Sequence, residues 1–74
     1  MDRIMDRIAI DSSVITALTY DELAETLRVE FRSGRIYLYS AVPLTAYQSL
    51  INAPSVGAHF NRKVRDRYRY REIR

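Results

Sequence analysis

Arg62, Lys63, Arg65, Arg67, Arg69, Arg71 and Arg74 crowd the last 13 residues of the chain, against only Asp66 and Glu72. That segment carries a net charge of +5, whereas the first 61 residues set five arginines against seven acids, a net −2. Arginine's planar fork suits two tasks, bidentate capture of phosphate oxygens and hydrogen bonding to guanine edges. From Asp66 to Ile73 the pattern has period two. In extended form it sets a basic rail of Arg67, Arg69 and Arg71 on one side, with Tyr68, Tyr70 and Glu72 on the other. A near-neutral body with a basic end points to a polyanionic partner, although a solvated tail has the same composition.

Other chemistry is thinly supplied. The chain has no cysteine and a single histidine, His59, so no Cys/His set can hold a metal. Asp21, Glu22 and Glu25 surround a turn without a basic partner and read as solvating charge. The two glycines, Gly34 and Gly57, are too few and too far apart for a phosphate-cradling loop. No nucleophile has a base beside it. The residues therefore imply a binding protein rather than an enzyme, with no cofactor, metal or small-molecule substrate. Met1 to Ile8 repeats Met-Asp-Arg-Ile, with a charge at every second or third position, and lacks the apolar core of a signal peptide. No apolar run approaches the roughly 20 residues that span a bilayer, so a cytoplasmic protein without membrane contact is expected.

The elements that must position these residues follow from periodicity. Val14–Tyr20 is rich in β-branched and aromatic residues and reads as a strand. Thr26–Phe31 alternates, with Leu27, Val29 and Phe31 on one face and Arg28 and Glu30 on the other. Arg35–Ser40 is a third strand. A two-residue loop between the last two would force positive φ on Ser33. A three-residue loop, Arg32-Ser33-Gly34, needs it only at Gly34, where glycine is unstrained. That loop pairs Phe31 with Arg35, Val29 with Tyr37 and Leu27 with Tyr39. It turns both tyrosines inward and leaves Ile36 and Leu38 on the open face beside Arg28. After Pro43 the period becomes helical, with Tyr47, Leu50 and Ile51 on one face. Pro54 ends that helix and opens a second, whose apolar stripe is Val56, Phe60 and Val64 and which closes near Arg65 or Asp66. Its polar face carries His59, Arg62 and Lys63. The expected class is α+β: a three-stranded antiparallel sheet followed by two helices (β-β-β-α-α) with a basic C-terminal extension. Residues 10–73 form one domain, and residues 1–9 an unstructured N-terminal extension.

The ordered segments Ile10-Asp11-Ser12-Ser13-Val14-Ile15, Tyr20-Asp21, Leu27-Arg28-Val29-Glu30-Phe31, Ser33-Gly34, Tyr37-Leu38-Tyr39, Val42-Pro43, Ser55-Val56-Gly57 and Phe60-Asn61 resemble the KTSC domain. That family takes its name from the C-terminal region of some lysyl-tRNA synthetases and also occurs as free-standing small bacterial proteins. The resemblance spans about residues 10–73 and implies nucleic-acid binding, the family's suggested role. Two departures are evident. Leu38 stands between the tyrosines where the family often has a polar residue, and the C-terminal segment is richer in arginine. A polar residue at that intervening position favours the register with buried tyrosines.

Three readings follow. In the favoured one, the second helix enters or crosses a DNA major groove, and Arg67, Arg69 and Arg71 hold the flanking phosphates. The contact set is then His59, Arg62, Lys63, Arg65, Arg67, Tyr68, Arg69, Tyr70 and Arg71. The second reading is RNA or single-strand binding, with Tyr68 and Tyr70, or Tyr37 and Tyr39, as stacking platforms. The third is a protein-interaction module, a homodimer included, that docks through Arg28, Ile36 and Leu38.

Overall fold

The computed structural model describes residues 7–74. Its elements are β1 (Ile8–Ala9), β2 (Ile15–Asp21), β3 (Thr26–Phe31), β4 (Ile36–Tyr39), α1 (Leu44–Ile51), α2 (Val56–Lys63) and β5 (Tyr70–Glu72). All pairings are antiparallel, in one sheet of order β1-β2-β3-β4-β5. The α+β class with two helices is as expected, but the sheet has five strands rather than three. Both added strands are short edge strands. Ile8–Ala9, placed by the sequence in an unstructured extension, pairs with Leu18 and Ala17, while residues 1–6 of that extension lie outside the described residues. Tyr70–Glu72 turns the expected basic extension into a strand along β4.

The β3–β4 hairpin closes through Arg32-Ser33-Gly34. Phe31 N donates to Arg35 O at 2.9 Å, Gly34 N donates to Phe31 O at 2.9 Å, and Gly34 has φ +98°. The resulting register, Leu27 with Tyr39 and Val29 with Tyr37, is the expected one. At the β2–β3 turn, Asp21 Oδ1 accepts from Leu23 N (3.1 Å) and Ala24 N (3.2 Å), so this carboxylate builds the turn as well as meeting solvent.

Both helices cover one face of the sheet. Pro43 is the N-cap of α1, with φ −70°. Ser55 caps α2, its side chain accepting from Ala58 N at 3.3 Å. Tyr20, Leu27, Val29 and Tyr39 from the sheet meet Tyr47 and Leu50 of α1 and Phe60 of α2 in the core. Tyr20 stacks on Tyr47 with centroids 4.6 Å apart, and its hydroxyl donates to Val42 O at 2.6 Å. No helix is long and apolar enough to cross a membrane.

Candidate nucleic-acid interface

α2 is amphipathic because Gly57 and Phe60 turn to the sheet while Arg62 and Lys63 stay exposed. The chain then turns through residues 64–67, with Arg65 N donating to Phe60 O (2.9 Å) and Arg67 N to Val64 O (3.0 Å). Those bonds continue the coil of α2 by one irregular turn. They carry Arg67 back to the flank that holds His59 and Lys63, since residues four apart share a helical face. Together with Ser49 and Ala46 of α1, these three residues line a groove of 260 Å³ between the helices. Tyr68 lines it too, and is half-buried against the core rather than free to stack.

The expected basic rail is broken as a consequence. Arg67 belongs to the turn, and Arg69 only leads into β5, its carbonyl accepting from Ser40 N at 2.8 Å. Arg71 pairs with Leu38, which pairs with Arg28, so its side chain falls on the sheet face away from the helices. Tyr70 lies on the helix-covered face, opposite Tyr39 and stacked on Tyr37 with centroids 4.9 Å apart and planes within 11°. It remains 50% exposed. Glu72 reaches Arg35 at 3.6 Å, an exposed and therefore weak pair.

The proposed docking face changes as well. Arg28 is exposed and Leu38 half-buried, but Ile36 is only 7% exposed. Ile36 sits opposite Glu30, which Arg7 clamps through Nε (2.9 Å) and Nη2 (3.2 Å). The chain end closes its other side, with Ile36 N donating to Arg74 O and Ile73 N to Ile36 O. Ile36 is therefore part of the packed structure rather than an open surface residue. The hydrogen bond from Arg7 also holds the Glu30 carboxyl below the usual carboxylate range.

Among the described residues the ion pairs are Arg7–Glu30 and Arg35–Glu72. Arg62, Lys63, Arg65 and Arg67 therefore have no acidic partner there. Among the same residues no three His, Cys, Asp or Glu side chains gather as a metal site. Ser49 is the groove residue that sequence reasoning missed. Its only signal is that it lies three residues after Ala46 on α1, and that spacing does not reveal which helix lies opposite.

The segments around this site match known proteins. The KTSC domain family model matches residues 11–68. The chain belongs to the KTSC domain family. A KTSC domain protein from Yersinia pestis has a crystal structure that superposes with a TM-score of 0.90 at 30% identity, covering 96% of this chain and 99% of that one. An uncharacterized protein of Stutzerimonas stutzeri is 44% identical over 70 residues, 93% of this chain and 99% of its own length. A lysine–tRNA ligase of Nostoc punctiforme is 36% identical over 63 residues, which cover 85% of this chain but 11% of the ligase. The KTSC domain is thus a whole small protein in one relative and a small part of a larger one in another.

Proposed function

We propose that this KTSC domain is an RNA-binding module of the cytoplasm, which holds a phosphate backbone along the groove between α1 and α2. The observation that carries the reading is the convergence of His59, Lys63 and Arg67 on one groove with the Ser49 hydroxyl. Arg62, next to Lys63 in sequence, is a further exposed cation outside the groove lining. Three donors of this kind around a shallow concavity match phosphate oxygens, and carry no base sequence of their own. Relatives that are named as lysine–tRNA ligases carry a domain like this one, which favours RNA over DNA. Duplex DNA is less well served. Lys63 and His59 face α1 across the groove instead of forming a free ridge, and a recognition helix must protrude to enter a major groove.

A titration of a labelled transfer RNA and of duplex DNA of similar length, repeated at several salt concentrations, tests this. With three or four phosphates contacted, the log–log slope for RNA should be about −2 to −3. Absence of binding at about 50 mM salt, where such contacts are strong, would exclude the reading. An affinity for the duplex equal to that for RNA would return the preference to DNA.

A further inference from the structure

On the opposite flank of α2 lies a second groove, also of 260 Å³, which shares no lining residue with the first. Its walls are rings. Phe31 meets Tyr37 edge-on at 5.0 Å and Phe60 at 5.6 Å, and Phe60 meets Tyr39 edge-on at 5.5 Å. Polar groups are few: the Ser33 hydroxyl, the Asn61 amide and the guanidinium groups of Arg35 and Arg65. Tyr39 lines the groove. The residue is 1% exposed, and its hydroxyl has no hydrogen-bond partner among the described residues, yet it is not sealed as the Tyr47 hydroxyl is. It is therefore free to meet water or a ligand group from the groove. Burial beside Tyr70 and Tyr37 pushes this hydroxyl up to about 12, so it remains a proton donor at neutral pH. Pockets for drug-sized ligands run to about 300–1,000 Å³, so this one suits a single ring system with its charged substituent left at the mouth.

We propose that this groove is a nucleobase subsite, in which Tyr39 and Asn61 bind the edge of one unstacked base while Arg65 and Arg35 hold its phosphate. Ring walls with a few edge donors are how proteins commonly take up single-stranded bases. Asn61 offers both a donor and an acceptor, as a base edge requires. Arg65 has no acidic partner among the described residues, and Arg35 has only the weak pair with Glu72. The subsite rests on the RNA reading, since the base would belong to the bound strand.

Titration of the intact chain with the four nucleoside monophosphates, followed by amide NMR, tests the subsite apart from the backbone groove. The expected result is saturable shifts at Ser33, Asn61 and Arg65 for at least one nucleotide, and none there with inorganic phosphate. Asn61→Asp and Arg65→Glu, both at exposed positions, should each weaken that nucleotide about tenfold or more, because each places a carboxylate against phosphate or base edge. Shifts confined to Ser49, His59 and Lys63, or no shift at about 10 mM nucleotide (affinity weaker than about −3 kcal/mol), would overturn the subsite. Either result leaves the RNA reading to its own salt titration. Tighter saturation by an acidic peptide bearing phenylalanine than by any nucleotide would also overturn it.

Discussion

Tyrosine does three different jobs in this protein, and its surroundings decide which. Tyr20 is fully buried and donates to Val42 O, Tyr47 is buried with its hydroxyl unpaired, and Tyr39 opens onto a groove. Burial raises the proton affinity of all three. Their folded-state values lie above the free-tyrosine value of about 10, so this stabilisation is complete below that pH. It is lost as pH rises toward the folded value, about 12 for Tyr39. The melting temperature should therefore be level from about pH 7 to 9 and fall steeply beyond about pH 10. Spectrophotometric titration gives the check: tyrosinate should appear together with loss of folded structure. All six tyrosines ionising near pH 10 in a chain that stays folded would show that burial does not govern them.

At the scale of elements, the position of α2 depends on Gly57. A Cβ there would lie 3.0 Å from Ser12 Oγ, which is fixed by accepting from Val14 N (3.1 Å) and Ile15 N (3.3 Å). Intrinsic helix propensity favours alanine over glycine by about 1 kcal/mol. The collision opposes it, since forcing a methyl into a packed contact costs about 1–3 kcal/mol. Gly57→Ala should thus lower stability by about 1 kcal/mol, a drop of roughly 4–8 °C in melting temperature for a chain of this size. A higher melting temperature would mean that Ser12 yields and that α2 is less tightly seated than its geometry implies. Because α2 separates the two grooves, a shift of this helix would widen one of them at the expense of the other.

Across the whole molecule the positive charge is divided between faces. His59, Lys63 and Arg67 share the interhelical groove, Arg35 and Arg65 the ring-lined one, and Arg28 and Arg71 the sheet face away from the helices. The basic segment is therefore spread over more than one face. Replacing Lys63 and Arg67 together with alanine should reduce RNA affinity about tenfold at about 50 mM salt and flatten the salt slope by about 1.4. The same change at Arg28 and Arg71 should alter affinity less than about twofold, since those side chains face the other way. Equal losses from both pairs would show that the molecule binds RNA as a diffuse cation and not through a defined groove.

The hairpin was legible in the sequence because one residue governed it. Of the three loop residues Gly34 is the one that takes positive φ without strain, so loop length, register and the inward turn of Tyr39 followed from local sterics. The α2 stripe was legible for a similar reason, a helical period with buried Phe60 and Val64. The edge strands were not. Ile8–Ala9 has two residues and Tyr70–Glu72 three, and neither carries a pattern long enough to read alone. They form because β2 and β4 present unpaired backbone groups that each can satisfy. The basic rail failed at Arg67 because the coil of α2 runs one turn beyond its regular end. Ile36 lies on the expected face but is covered there, and that was not legible because the covering groups, the Arg7–Glu30 clamp and the segment ending at Arg74, are remote in sequence.

The concentration of arginine after Asn61 was set by the sequence alone, since charge is a property of composition and needs no fold. Which of those arginines act together was decided only by the tertiary structure. Strand pairing sends Arg71 to one face, and the turn after α2 brings Arg67 beside His59 and Lys63. Backbone pairing between distant β4 and β5 sets the first direction, and turn bonds just after α2 set the second, where the period-two pattern of the segment suggests an extended chain instead.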